Sequence, residues 1–365
     1  MSNAVQVLIQ TQRFIFWDSV KITRGIDSID AIDLSAPFDH TAPGFKDNFR
    51  PFAYLPIVVS VDGVPLFTGT MVNVDPVVEE SRKAIAVSGY ATCGVLQDCT
   101  APVESMPLEY NNLTLKEIAE ALAKPFNLGV EFQGEPGPAF ERVACDPDKK
   151  VFEFLTELAK QRGFIISSNT SGGLLFLKST NSTPVAKLDQ GLAPVVSVTP
   201  AFNPQDFYTD LTGLAPVEVG KTAAKKTVKT KKDAPKVKAP KPANKYSQFS
   251  VSETSEVFRP LSFKVDDIDG ADLGTATKAK QARMLGNMAT YDVVVATWRD
   301  ANGDLWSPNT TLSLRYPDAM IYDFYNFTIK SITFEKDGDS ETATLTLALP
   351  GSFNGEVPEV FPWEL

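Results

Sequence analysis

Few residues in this chain could run a reaction. There is one histidine, His40. It sits in the turn-like stretch Phe38-Asp39-His40-Thr41, and a general base must stand beside its nucleophile to activate it. A turn or surface role is expected for it. Three cysteines, Cys93, Cys99 and Cys145, are too few for a disulfide framework, and their odd number points to a reducing compartment. Cys93 and Cys99 are separated by five residues in CGVLQDC, too far for the usual zinc-pair spacing, and no second His/Cys pair follows. They read as small core residues. The Asp266-Asp267-Ile268-Asp269-Gly270-Ala271-Asp272 run comes nearest to a metal loop. A calcium loop starting at Asp267 would need glycine at its sixth position, where Asp272 stands, so a solvated acidic loop is favoured. Nucleophile-elbow, phosphate-loop, dinucleotide and paired-histidine zinc motifs do not occur. A glycosidase-like carboxylate pair stays open because acids are common, but nothing singles one out. The chain is expected to be no enzyme and to need no cofactor.

Charge is distributed unevenly. The formal net charge is −10, yet ten lysines and a single acid, Asp233, lie between Lys221 and Lys245. Without that segment 25 basic and 44 acidic residues remain, a net charge of −19 for the body. Such a body repels nucleic acid. The segment itself, KTAAKKTVKTKKDAPKVKAPKPANK, has no aromatic residue and no apolar period, so it cannot bury a core of its own. It reads as a solvated loop, as an arm docking on an acidic protein face, or as a nucleic-acid contact. The residues that would dock are Lys225, Lys226, Lys229, Lys231, Lys232, Lys236, Lys238 and Lys241.

The elements around these residues are mostly strands. Val5–Gln10 places polar residues at alternate positions except at Leu8, and Ile29–Leu34 is similar, as half-buried strands require. Ile57–Val61 and Val64–Val74 flank Asp62-Gly63, a hairpin signal because glycine accepts the positive φ of such turns. Residues 83–90, KAIAVSGY, complete a first set of strands. The middle then changes character. Thr114 and Glu117 have capping-box spacing, Leu115, Ile118, Ala119 and Leu122 follow at helical spacing, and Pro125 ends the run. A second helix carries Val151, Phe154, Leu155, Leu158 and Ala159 on one face and stops at Gly163. A strand at 129–133 lies between these helices, and a hairpin follows across Asn169–Gly173.

Strands return from Val195. A helix is expected at 275–289, then a strand from Tyr291 towards Trp298, a turn at Asp300–Gly303, and Leu312-Ser313-Leu314. A long hairpin closes the series, pairing Phe327–Phe334 with Thr342–Leu349. The first and last β regions echo each other: strand, Asp-Gly or Asn-Gly turn, strand, then a strand pair. The expected fold is mainly β with α+β insertions: two related antiparallel β-barrels plus a small α+β module. The first barrel takes 1–100, the module 101–184, and the second barrel, with an inserted helix, 185–349. The Lys/Pro-rich loop interrupts that barrel at 216–246, and 350–365 is an extended C-terminal tail. The N-terminal residues lack a signal-peptide pattern, and no stretch reaches the ~18 apolar residues of a membrane span, so no membrane anchor is expected.

The order of segments resembles a known family. VLIQTQRFIFWDSVKITRGIDSID, SVDGVPLFTG and AIAVSGYATCGVLQDCTA are similar to the first barrel of phage tail baseplate hub proteins of the Mu type. That family includes late-control protein D and is related to the hub part of type VI secretion spikes. The run SGYATCGVLQDC resembles the segment that closes the family's first barrel. Near the other end, Trp298, Gly303, Leu305, Trp306, Pro308 and Asn309 fit the family's Trp-Arg…Gly-x-Leu-Trp-x-Pro-Asn run, and LALPGSF fits as well.

The resemblance implies a structural protein of the virion, assembled in the host bacterial cytoplasm. It implies a homotrimer whose barrels form a pseudo-sixfold ring, matching a sixfold tail tube on one side and a threefold central spike on the other. Other baseplate proteins would surround it, and DNA would pass its channel without specific binding. The chain ends at Leu365, so the spike is expected to be a separate protein. The lysine segment departs from the family pattern. A tail-associated peptidoglycan hydrolase and a receptor- or glycan-binding tail protein are the competing readings.

Overall fold

The computed structural model describes residues 3–79, 83–179, 182–216, 246–252, 257–265, 273–353, 358 and 360–365. The first β region comprises β1 (Val5–Ile9), β2 (Gln12–Phe14), β3 (Ser19–Gly25) and β4 (Ala31–Pro37). After the short helix α1 (Phe45–Asn48) come β5 (Pro56–Val61), β6 (Val64–Val78) and β7 (Lys83–Ala91). Side-chain alternation builds its core: Ile32, Leu34 and Ala36 of β4 point inward while Asp33 and Pro37 face out. The Asp62-Gly63 turn has φ of 50° and 83°, and it pairs Val61 with Val64 as a two-residue hairpin.

The middle holds α2 (Val95–Asp98), β8 (Glu109–Leu113), α3 (Leu115–Ala123), β9 (Val130–Gln133) and β10 (Phe140–Ala144). It continues with α4 (Val151–Gln161), β11 (Ile165–Ser168) and β12 (Leu174–Leu177). The capping box at α3 is closed in both directions: Glu117 N donates to Thr114 Oγ1 at 3.3 Å, and Thr114 N donates to Glu117 Oε2 at 2.7 Å. Gly163, at φ 67°, follows the end of α4. The Asn169–Gly173 loop also docks the module on the first β region. Cys93 N donates to Gly172 O at 2.8 Å, and a Cβ on Gly172 would fall 2.7 Å from Thr68 O.

The last region has β13 (Lys187–Asp189), β14 (Val195–Phe202), β15 (Asp210–Pro216), β16 (Tyr246–Ser252) and β17 (Pro260–Lys264). Then come α5 (Leu273–Met288), β18 (Ala289–Val295), β19 (Thr311–Tyr316), β20 (Ile321–Asp337) and β21 (Ser340–Ala348). The final hairpin turns tightly at Gly338-Asp339, with Phe334 paired to Ala343. β15, β16 and β17 form their own sheet, apart from the large one. Helix α5 lies so close to it that a Cβ on Gly213 would meet Thr277 Oγ1 at 2.2 Å.

The two outer β regions share one 13-stranded, mainly antiparallel sheet. Its main path runs β14-β18-β21-β20-β3-β4-β7-β6-β5-β1-β2, with β19 also on β20 and β13 on β19. The fold is therefore mainly β with large antiparallel pairings, and among the described residues no pairing closes either region into a ring. The seam is β20. One edge of this 17-residue strand pairs β21; along the other, β19 takes its first half and β3 pairs Ser331–Asp337 with Gly25–Ser19. Phe334 sits opposite Ile22 in that seam, fully buried, with Trp298 packed edge-on against its ring at 5.3 Å.

Phe334→Ala should cost about 3–5 kcal/mol, the usual range for emptying a buried aromatic site. Because both β regions meet at this residue, chemical denaturation followed by tryptophan fluorescence and by far-UV dichroism should shift together.

Candidate assembly surfaces

His40 is exposed on a turn organised by Asp39, whose Oδ1 accepts from Thr41 N at 2.9 Å and Thr41 Oγ1 at 2.6 Å. Those bonds hold the Asp39 carboxyl below its usual range. Burial pushes the thiol of Cys93 up to about 12 and that of Cys145 up to about 11. Among the described residues no group of three or more His, Cys, Asp or Glu side chains could hold a metal ion. The Asp266–Asp272 run and the lysines Lys225, Lys226, Lys229, Lys231, Lys232, Lys236, Lys238 and Lys241 lie outside the described residues.

The charged groups that the fold does bring together are at the joints between its parts. Arg24 Nε bonds Asp30 Oδ2 at 2.9 Å, with Asp30 only 2% exposed. Beside them Asp30 N donates to Ser168 Oγ, and Ser167 Oγ donates to Gly25 O, which fastens the module to β3 and β4. Burial raises the Asp30 carboxyl above its ordinary range, opposed by Arg24 and by hydrogen bonds from Ser168 and the Gly25 backbone. Arg283 of α5 grips Asp27 with two bonds, of 2.5 and 3.1 Å, and also donates to Phe164 O at 3.3 Å. Arg299 reaches Asp62 Oδ2 at 2.6 Å, Asn3 Oδ1 at 3.0 Å and Gly303 O at 2.8 Å. Glu341 and Lys336 complete that cluster by bonding Asn3. The two turns read from the sequence, Asp62-Gly63 and Asp300–Gly303, thus meet at one end of the sheet. The pairings of Arg283 with Asp27 and of Arg299 with Asp62 and Asn3 have no local sequence signal, because those partners are far apart along the chain.

The outward face offers contact surface. Strands β2 and β14 end the main path of the sheet and leave backbone groups unpaired along one edge each. Beyond β2 lie exposed Ile15 and Phe16, the latter 69% exposed. Phe14 rests edge-on against Phe49 at 5.4 Å, and three residues on from Phe49 comes Phe52, 86% exposed. Val196 on β14 and Leu192 just before it are also exposed. Large apolar side chains beside an open sheet edge are a feature of protein-contacting surfaces. The described tail residues do not continue the edge: Glu364 N turns back to Phe361 O, Phe361 stacks on Trp363 at 4.9 Å, and Trp363 packs against Phe202.

Residues 93–178 match the family model described as the second domain of gp44-like baseplate hub proteins. The chain is 23% identical over 326 residues to the baseplate hub protein gp44 of Escherichia phage Mu, covering 86% of this chain and 79% of that protein. The 43 kDa tail protein of prophage MuSo2 from Shewanella oneidensis superposes with a TM-score of 0.77 at 22% identity, over 96% of this chain and 99% of its own. The E. coli c3393 protein, a component of the type VI secretion system, superposes with a TM-score of 0.57 at 11% identity, over 98% and 79%. The resemblance to Mu-type hub proteins holds, and the matched Mu and prophage proteins are structural baseplate and tail components, not enzymes.

Asp30→Asn removes the carboxylate that Arg24 bonds, and denaturant titration of both proteins across pH measures what its charge contributes. The sign of the pH effect is also fixed. A carboxyl raised in the folded state binds its proton more tightly there than in the unfolded chain. The stability of the native sequence relative to Asp30→Asn should therefore fall as pH rises from 3.8 through the folded value of Asp30.

Proposed function

We propose that this chain is a baseplate hub subunit of a contractile phage tail and works as a symmetry adaptor without catalysis. Three copies would form a ring in which the two β regions of each subunit, as curled barrel-like halves, give a pseudo-sixfold arrangement. One side of the ring would meet the sixfold tail tube, the other the threefold spike, with further baseplate proteins around it. What carries this reading is the extent of the likeness: it runs through both β regions and the module between them. The continuous β20–β3 seam supports it mechanically, since a subunit bridging two symmetries must move as one body. The acidic body suits a channel that DNA must traverse without sticking.

The lysine-rich segment, in this reading, docks on an acidic protein face of a neighbouring subunit, drawn by its charge contrast with the body.

Native mass measurement of the purified chain should give a trimer that binds both recombinant tube and spike proteins. A stable monomer, cell-wall clearing, or glycan binding without tube or spike affinity would overturn the hub reading. Deleting 216–246 should lower the salt concentration at which assembled baseplates fall apart; unchanged assembly and salt resistance would sink the docking role.

A further inference from the structure

A cavity of about 560 Å³ opens between α4, α5 and the edge strand β17. Its charge runs against that of the rest of the molecule. Two of its ionic groups are already balanced: Arg283 is held by Asp27, and Glu157 by Lys149 at 2.5 Å. Among the described lining residues the remaining charges are Lys160, Lys264 and Lys280 against Asp206. None of the three lysines makes an ion pair with a described residue. Lys160 at the end of α4 is partly buried and faces Arg283 and Lys280; burial first, then these like charges, hold its ammonium below the ordinary range despite Asp27 and Glu157. Cations crowded in this way are eased by an incoming anion. The facing wall is apolar, with Leu261, Phe263 and Val265.

An acidic and partly apolar ligand satisfies both walls. Stacked bases fit less well, because the ring of Phe263 already faces Lys280 at 5.9 Å and that of Tyr208 faces Arg259 at 5.5 Å. We propose that this cleft receives a short acidic, partly apolar stretch of a partner protein, its carboxylates on Lys160, Lys264 and Lys280 and its apolar side chains against Leu261 and Phe263. Among the described residues β17 ends its sheet, so its edge is available for main-chain pairing with such a stretch. This goes beyond the hub reading, which assigns no ligand to the cleft.

The test titrates the full chain into a fluorescein-labelled peptide of about eight residues alternating Glu and Leu, a length that spans one strand-type groove. A peptide with Gln for every Glu serves as control. Binding of the Glu peptide should weaken as salt is raised, and the Gln peptide should fail to bind. The double variant Lys264→Glu/Lys280→Glu, altered only at exposed positions, should lose about tenfold or more in affinity. Equal binding by the two peptides, equal binding by the double variant, no binding at all, or displacement of the peptide by inorganic phosphate or a DNA duplex would each overturn the proposal. The same double variant is measured for stoichiometry and tube binding. If these stay as in the unaltered chain, a failed peptide titration removes the cleft's role and leaves the hub reading standing.

Discussion

Everything in this molecule depends on how β20 satisfies its backbone. Most residues of that strand are partly or fully buried, and a buried N–H or C=O left without a partner costs about 1–3 kcal/mol. No single neighbour could serve both edges over 17 residues. β21 pairs Thr328–Asp337 along one edge, and β19 and β3 divide the other. The irregularity between Ile329 and Ser331 falls where that hand-over occurs. As a result the first and last β regions, separated by almost the whole chain, share a sheet and a core. Ile22, Phe334 and Trp298 are buried at the same seam.

The polar joints follow from this arrangement. Once the sheet is continuous, the module and α5 must be fixed to it without disturbing its register. Arg283 of α5 bonds Asp27, Arg24 bonds Asp30 beside the Ser167 and Ser168 contacts of the module, and Arg299 joins the turns of the two β regions through the exposed Asp62. A buried pair such as Arg24 and Asp30 adds little net stability, since desolvation offsets the attraction, but breaking one side leaves a charge stranded. Its value is to make misdocked arrangements costly. In an acidic body, cations spent on internal joints also leave the rest of the surface negative, which makes the unbalanced lysines beside α5 stand out.

Much of the local structure was legible in the residues. The Asp62-Gly63 turn, the Thr114–Glu117 box, the apolar faces of α3 and α4, and the final hairpin all stand as read, because each rests on interactions between residues a few positions apart. The separate sheet of β15, β16 and β17 was not legible. Its strands look like any others, and β15 pairs with β17 in parallel across a long excursion of the chain.

What the sequence by itself determined is therefore the inventory: short alternating strands, their turns, two capped helices, an acidic body and no reactive cluster. These depend on periodicity and turn chemistry, which act over a few residues. The tertiary structure alone decided that β20 joins the two β regions, that Asp62 meets Arg299, and that Lys160, Lys264 and Lys280 face one cleft. Those contacts link residues as much as 338 positions apart, as between Asn3 and Glu341. Nothing within a short window of sequence specifies such a partner. It is selected only when the whole sheet finds the register that pairs its backbone and buries its apolar face.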